Sequence, residues 1–368
     1  MSRTLFYTFL AFYTSAILYL ANSIPIGPHE ATIYYTDRSI LYFLTHILEN
    51  YFDNSLGFRL PFVIFGFLNI PLFYIMSQLY LKKEEESYLA TAIYLLLPGI
   101  ITSTILVNIS VLVITFVLFF IIFYERKNLL GEALSMFLLL VLHDASIIFF
   151  IALSIFFTIQ AKRKRLIISI TFTIISLYFN GLEIGGRPTG EFLQLFGLYM
   201  ALFSPLVFLY FFYALYRIAL RESKDILWYI SFTAFLSSVL LSLRQQVDMT
   251  DFAPYVIVSV VLMLLTYYKS ICVRLPQFQK PYRLGFNITL ASLIFSSLII
   301  IFHPLLFRII DDKSKHFAYP FYEPYWQVLE LNEIGRNCYT VKKKKIQYQL
   351  KYYGIEKCEE STVPKIHK

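Results

Sequence analysis

Charge and cysteine are both scarce in this chain. Only 15% of its 368 residues are Asp, Glu, Lys or Arg, where soluble domains carry about a quarter. That scarcity argues against a water-soluble globular protein, and an apolar content of 58% argues against a disordered one. Three cysteines are too few for a disulfide scaffold. Thirteen glycines and fourteen prolines without a fixed period exclude collagen-like and low-complexity chains. What the chain has in abundance is apolar and aromatic bulk, with 18% Phe, Trp and Tyr and a mean hydropathy of +0.62. Such figures suit an all-α polytopic membrane protein.

A helix needs about 20 apolar residues to cross the hydrocarbon. Runs at 5–21, 60–80, 88–105, 106–124, 129–142, 147–160, 166–179, 194–216, 226–243, 254–268 and 287–303 predict eleven transmembrane helices. The first also suits a signal peptide, since Arg3 precedes its apolar core. However, Leu20-Ala21-Asn22-Ser23 lacks a small-x-small cleavage pattern, so an uncleaved anchor is expected. With the N-terminus inside, the inner segments gather Arg3, Lys82, Lys83, Arg126, Lys127, the run 162–165, Arg217, Arg221, Lys224, Lys269, Arg274, Lys280 and Arg283. The outer segments before residue 304 hold only Arg38, Arg59, Arg187 and Arg244. Basic residues concentrate on the cytoplasmic side of membrane proteins. The expected orientation is therefore N-terminus cytoplasmic and C-terminus extracytoplasmic. The net charge of +8 then reports topology, and a nucleic-acid partner loses its main support.

Residues 129–160 carry basic clusters at both ends. One helix over that length would rise about 48 Å and push one cluster outside, so two short helices with His143-Asp144-Ala145-Ser146 at the outer tip are expected. Residues 1–303 form the expected transmembrane domain, and 304–368 a small extracytoplasmic α/β tail. There, 324–331 reads as a short helix stopped near Gly335, and Ile346, Tyr348, Leu350 and Tyr352 alternate as a strand would. Cys338 and Cys358 fall on the oxidising side, where a bond between them is expected; two unpaired thiols are the alternative. Such a bond, closing about twenty residues, contributes roughly 3 kcal/mol.

The six histidines and many acids gather at outer loops and outer helix ends, which makes the outer face the expected functional one. Inner acids such as Glu132, mixed with basic residues, read as solvated loops. The loop 22–59 is the richest. A stiff turn at 24–28 leads into a helical pattern reaching about Asn50, and Ile33, Leu41, Phe43, Leu44 and Ile47 offer an apolar face for the interface plane. Glu30 falls in the first turn, where helix N–H groups favour a carboxylate. A carboxylate at a membrane edge can act as a general base, or simply cap its helix.

A membrane span, a short loop with an acidic residue before Ala31, an interfacial helix, and then Gly57-Phe58-Arg59-Leu60-Pro61 opening the second span resemble the GT-C glycosyltransferases. The likeness is to the aminoarabinose and protein-mannosyltransferase-like branch. It extends through Leu97-Pro98-Gly99, the hairpin carrying His143-Asp144, and Arg244-Gln245-Gln246 followed by Asp251-Phe252-Ala253-Pro254-Tyr255, over about residues 1–270. It implies a GT-C-like fold and transfer of a sugar from a polyprenyl-phosphate carrier to a lipid, glycan or protein on the outer face. It makes Glu30 the base. His29, Arg59, His143, Asp144, Arg244 and Tyr255 become substrate-binding residues, with Arg59 and Arg244 near the phosphate. Arg suits that place because its planar fork matches phosphate oxygens.

Two positions depart from the pattern: Asn108 stands where a second acid is expected, and His143-Asp144 replaces Thr-Lys. No cofactor is implied. A divalent metal on His29, Glu30, His143 and Asp144 has suitable N and O donors but no short ligand spacing. Two further readings stay open, namely a transporter or flippase for a lipid-linked substrate and a non-catalytic assembly subunit. The Gly-rich stretch 185–190 lacks a P-loop spacing and reads as a turn, the sequon at Asn287 as chance, the Tyr pairs as interfacial belts, and the basic run 342–345 as a solvated face.

Overall fold

The computed structural model describes residues 1–36, 39–48, 55–180 and 192–358. Asp37, Arg38, Glu49, Asp53, Glu183, Arg187, Glu191, His367 and the Gly-rich stretch 185–190 lie outside them. Among the described residues the chain folds into α1 (Arg3–Ser23), α2 (Pro28–Thr36), α3 (Ile40–Ile47), α4 (Leu56–Tyr80), α5 (Glu84–Leu96), α6 (Pro98–Ile105), α7 (Ile109–Glu125), α8 (Leu129–Leu142), α9 (Ser146–Ile159) and α10 (Arg163–Asn180). These are followed by α11 (Phe192–Phe203), α12 (Pro205–Arg221), α13 (Ile226–Ser242), α14 (Met249–Val256), α15 (Ser259–Val273), α16 (Pro276–Ile301), α17 (His303–Leu306), α18 (Tyr319–Glu333) and α19 (Lys344–Tyr352). The fold is all-α, and its long apolar helices fit a bilayer.

Helices α1, α4 and α16, and α14 with α15 taken together, are long and apolar enough to cross a membrane. Two bent pairs raise that number to six: α5 with α6, bent by 63°, and α11 with α12, bent by 106°. The expected single span over 194–216 is therefore broken. Pro205 has no N–H to donate and disfavours a helical residue before it, so the chain turns at Ser204, whose φ is 71°. The shorter apolar helices α7, α8, α9 and α13 have 14 to 17 residues.

The chain divides into two compact units. The first comprises residues 1–15, 64–104 and 108–300. Here α7 packs on α8 and α14, α9 on α10 and α13, and α12 on α15. Stacked rings such as Phe73 on Tyr94 and Tyr199 on Phe208 fill its interior. Its outer surface carries Leu130, Tyr178 and Val273 exposed, as suits contact with lipid rather than water. Glu132, expected in a solvated loop, is buried and receives two N–H bonds from Arg165 at 2.6 and 2.8 Å. A carboxylate drawn under the surface needs such a bidentate partner.

The second unit comprises 16–63, 105–107 and 301–368. The helical pattern expected to run from Glu30 to Asn50 is interrupted: α2 ends at Thr36, and Ser39 caps a new helix by accepting from Leu41 N–H at 3.2 Å. The interruption splits the expected apolar face, with Ile33 buried and Phe43 and Ile47 exposed. The strand expected at 346–352 is instead α19. Alternation and helical spacing coexist in this segment, and the helix wins because 346, 349, 350 and 353 then share one face. Leu350 joins Val328, Leu331 and Ile355 in a small core, with Ile346 and Tyr353 packed against it. Gln349 donates to the carbonyls of Ile26 and Pro320 at 2.8 and 3.0 Å, tying α19 to the first loop and to α18. A disulfide joins Cys338 to Cys358.

Candidate functional site

Glu30 owes its place to the turn before it. Gly27 N–H donates to Glu30 Oε2 at 2.8 Å while the Gly27 carbonyl accepts from Ala31 N–H at 2.9 Å. This is half of a capping box, in which the third helical residue reaches back to the cap. Residue 27 must be glycine for packing reasons, since a Cβ there would lie 2.5 Å from the Phe321 ring.

Arg59, in the first turn of α4, completes the arrangement. Its Nε and Nη2 donate to Glu30 Oε1 and Oε2 at 2.9 and 2.5 Å. Its remaining N–H groups donate to the carbonyls of Ala21 and Ile24, at 3.0 and 2.7 Å, and of Pro25 at 3.0 Å. Ala21 and Ile24 lie at the C-terminal end of α1, where carbonyls lack helical partners. Thus Glu30 serves the start of α2, Arg59 serves the end of α1, and the ion pair fastens both to α4. Val107 N–H adds a fourth donor to the carboxylate at 3.0 Å. All five guanidinium N–H groups and all four favourable carboxylate positions are occupied, with Arg59 0% and Glu30 3% exposed. In this arrangement neither has a lone pair or donor free for a substrate.

A second polar group lies in the first unit. His143 ends α8, and its Nδ1 hydrogen-bonds the Tyr255 hydroxyl at 2.9 Å. Its Nε2 is 3.5 Å from Asp251 Oδ1. Asp251 and Tyr255 are four residues apart on α14, so one helix face presents both to the imidazole. Tyr255 and His143 are buried, while Asp251 is partly open to the outside. Such an arrangement can hold an imidazole in one orientation. Asp251 was legible only as part of a motif; its pairing with His143 needs the fold.

His29, Asp144 and Arg244 are exposed. Glu30, Arg59 and His29 belong to the second unit, and His143, Asp144, Arg244 and Tyr255 to the first. Among the described residues, no three His, Cys, Asp or Glu side chains gather as a metal ion needs.

The first unit also holds a cavity of about 220 Å³ that no sequence signal announced. Its wall runs past Leu97, Phe203 and Pro254, where helices bend or contain proline, and Thr102, Ser103, Asn108, Ser110 and Thr250 supply polar groups without charge. Asn108, at the position where an acid was expected, caps α7 by accepting from Ser110 N–H at 2.8 Å. The wall is uncharged and more apolar than polar. No known family model matches this chain, and no curated protein is detectably similar to it.

Proposed function

We propose that this chain is a membrane glycosyltransferase of the GT-C type. It would take a sugar from a polyprenyl-phosphate carrier and pass it to a lipid, glycan or protein acceptor on the outer face of a bacterial inner membrane, with eleven spans and the N-terminus inside. The observation that carries this reading is contact between residues that the resemblance implies for the site. Glu30 and Arg59 stand 29 positions apart and make a bidentate pair; His143 and Tyr255 stand 112 apart and share a hydrogen bond. In the proposed reaction a base removes the acceptor hydroxyl proton, that oxygen attacks the anomeric carbon, and the bond to the lipid phosphate breaks with inversion. Arg59 has every donor engaged, and Arg244, exposed and without a side-chain hydrogen bond among the described residues, is the guanidinium this reading assigns to the departing phosphate. Glu30 can act as base only after exchanging one of its four donors for the acceptor hydroxyl.

That last condition favours one second reading, a non-catalytic GT-C-like subunit whose closed Glu30–Arg59 pair serves architecture alone. Comparison of glycans and lipids from cells with and without the chain separates the two. Under the first reading a product disappears, and Arg244→Gln, which leaves the buried pairs intact, lowers transfer at least about tenfold with protein abundance unchanged. Normal products from cells lacking the chain would remove the enzyme reading.

A further inference from the structure

Helices α12 and α15 enclose a second cavity, of about 450 Å³, that the proposed transfer does not use. Its wall carries Arg217 and Arg221 from α12 and Arg274 from the end of α15. Residues 213, 217 and 221 follow one another at four-residue spacing, so α12 presents two guanidiniums and the Tyr213 hydroxyl along a single face. Arg217 is anchored: it donates to Ser270 Oγ and Tyr213 OH and lies 3.5 Å from Glu222. Glu222 is itself engaged by Lys269 at 2.6 Å, and among the described residues no acidic side chain lines the cavity. Arg274 Cζ lies over the Tyr282 ring, 4.1 Å from its centroid, a contact that does not consume its N–H donors. Neither Arg221 nor Arg274 donates a side-chain hydrogen bond among the described residues. Two exposed guanidiniums and the anchored Arg217 therefore line one space, which favours an anion there, and guanidinium forks match phosphate oxygens.

The rim identifies the carrier of that phosphate. Leu220 is 63% exposed and Val273 84%, both beside the cavity mouth on helices whose outer faces are apolar. A soluble phosphate gains nothing from such a rim, whereas acyl chains do. We propose that this cavity binds the phosphate headgroup of an anionic phospholipid, with its chains lying along Leu220 and Val273. Basic pockets between membrane helices are suited to this task. The site stands independently of the transfer reaction, since none of its residues takes part in it.

The test uses the full chain, purified in mild detergent and offered phosphatidylglycerol, phosphatidylcholine or inorganic phosphate, with bound lipid counted by native mass spectrometry. Phosphatidylglycerol is expected to be retained and phosphatidylcholine lost. Arg221→Gln with Arg274→Gln is expected to weaken retention at least about tenfold. The matching lysine pair should keep most of it, and Arg163→Gln with Lys164→Gln, equal in charge but elsewhere, should change nothing. Equal retention of phosphatidylcholine overturns the proposal. So does equal loss in the distant pair, or competition by inorganic phosphate as effective as the lipid.

Discussion

At the level of single residues, the Glu30–Arg59 pair does a joint that backbone alone cannot make. Three segments end or begin there with unsatisfied carbonyls and N–H groups, and one carboxylate and one guanidinium complete them. Burying both charges is costly, so the pair holds only while intact. Glu30→Ala is expected to lower stability by about 3–5 kcal/mol, because it strands a buried guanidinium. Thermal midpoints of the detergent-solubilised full chain measure this; an unaltered midpoint for Glu30→Ala would show that the pair carries no weight. His316 offers a pH-dependent counterpart. Ala318 N–H donates to its Nδ1 at 3.0 Å, so Nε2 carries the proton and donates to the His303 carbonyl at 3.2 Å. Burial holds its pKa below the usual 6.5, opposed in part by the His303 carbonyl. The folded state therefore prefers neutral imidazole, and the unfolded state binds more protons on acidification. Its stabilising effect is complete above about pH 6.5 and is lost as pH falls below that value. The wild-type midpoint should drop between about pH 7.5 and 5.5, and His316→Gln should shrink that drop; an equal drop in both would exclude His316 as its source.

Among the helices, position in the chain was legible while continuity was not. Each apolar run became helical because a long apolar segment can satisfy its backbone internally. The break at Ser204 was hidden from hydropathy, since 194–216 stays apolar throughout, yet Pro205 marked it in stereochemical terms. Ser204, with φ 71° and ψ 149°, adopts a conformation that costs a side-chain-bearing residue about 1–3 kcal/mol. Ser204→Gly should therefore raise stability by about 1 kcal/mol, and Ser204→Val should lower it by at least as much. The same midpoint assay decides; destabilisation by glycine would mean that the bend does not persist. In α19 the misreading was of period. Ile346, Tyr348, Leu350 and Tyr352 alternate, but Gln349 and Leu350 are the buried residues, and adjacent buried residues fit a helix face. Leu350→Ala, which empties the centre of the core with Val328, Leu331 and Ile355, should cost about 2–5 kcal/mol.

Across the whole molecule, composition and charge sorting led to the all-α, bilayer-suited architecture, because both depend only on sequence averages. The joining of residues 301–368 with the first loop in one unit was not legible, since Gln349 to Ile26 is a side-chain-to-backbone contact spanning 323 positions. Nor was the cavity between α12 and α15, whose arginines read equally well as an inner-face belt. The cysteines test sidedness directly. Cys272, the free and exposed thiol near the end of α15, precedes α16, whose 26 residues rise about 39 Å, ample for one crossing. Cys338 and Cys358 follow it, joined to each other. A membrane-impermeant maleimide should therefore leave untreated whole cells unlabelled and modify Cys272 in inverted vesicles. After mild reduction, whole cells should gain label at Cys338 and Cys358 alone. Label on Cys272 in whole cells would reverse the orientation argued from basic residues. Label on all three thiols from one side would mean that α16 does not cross, and the odd span count would fall with it.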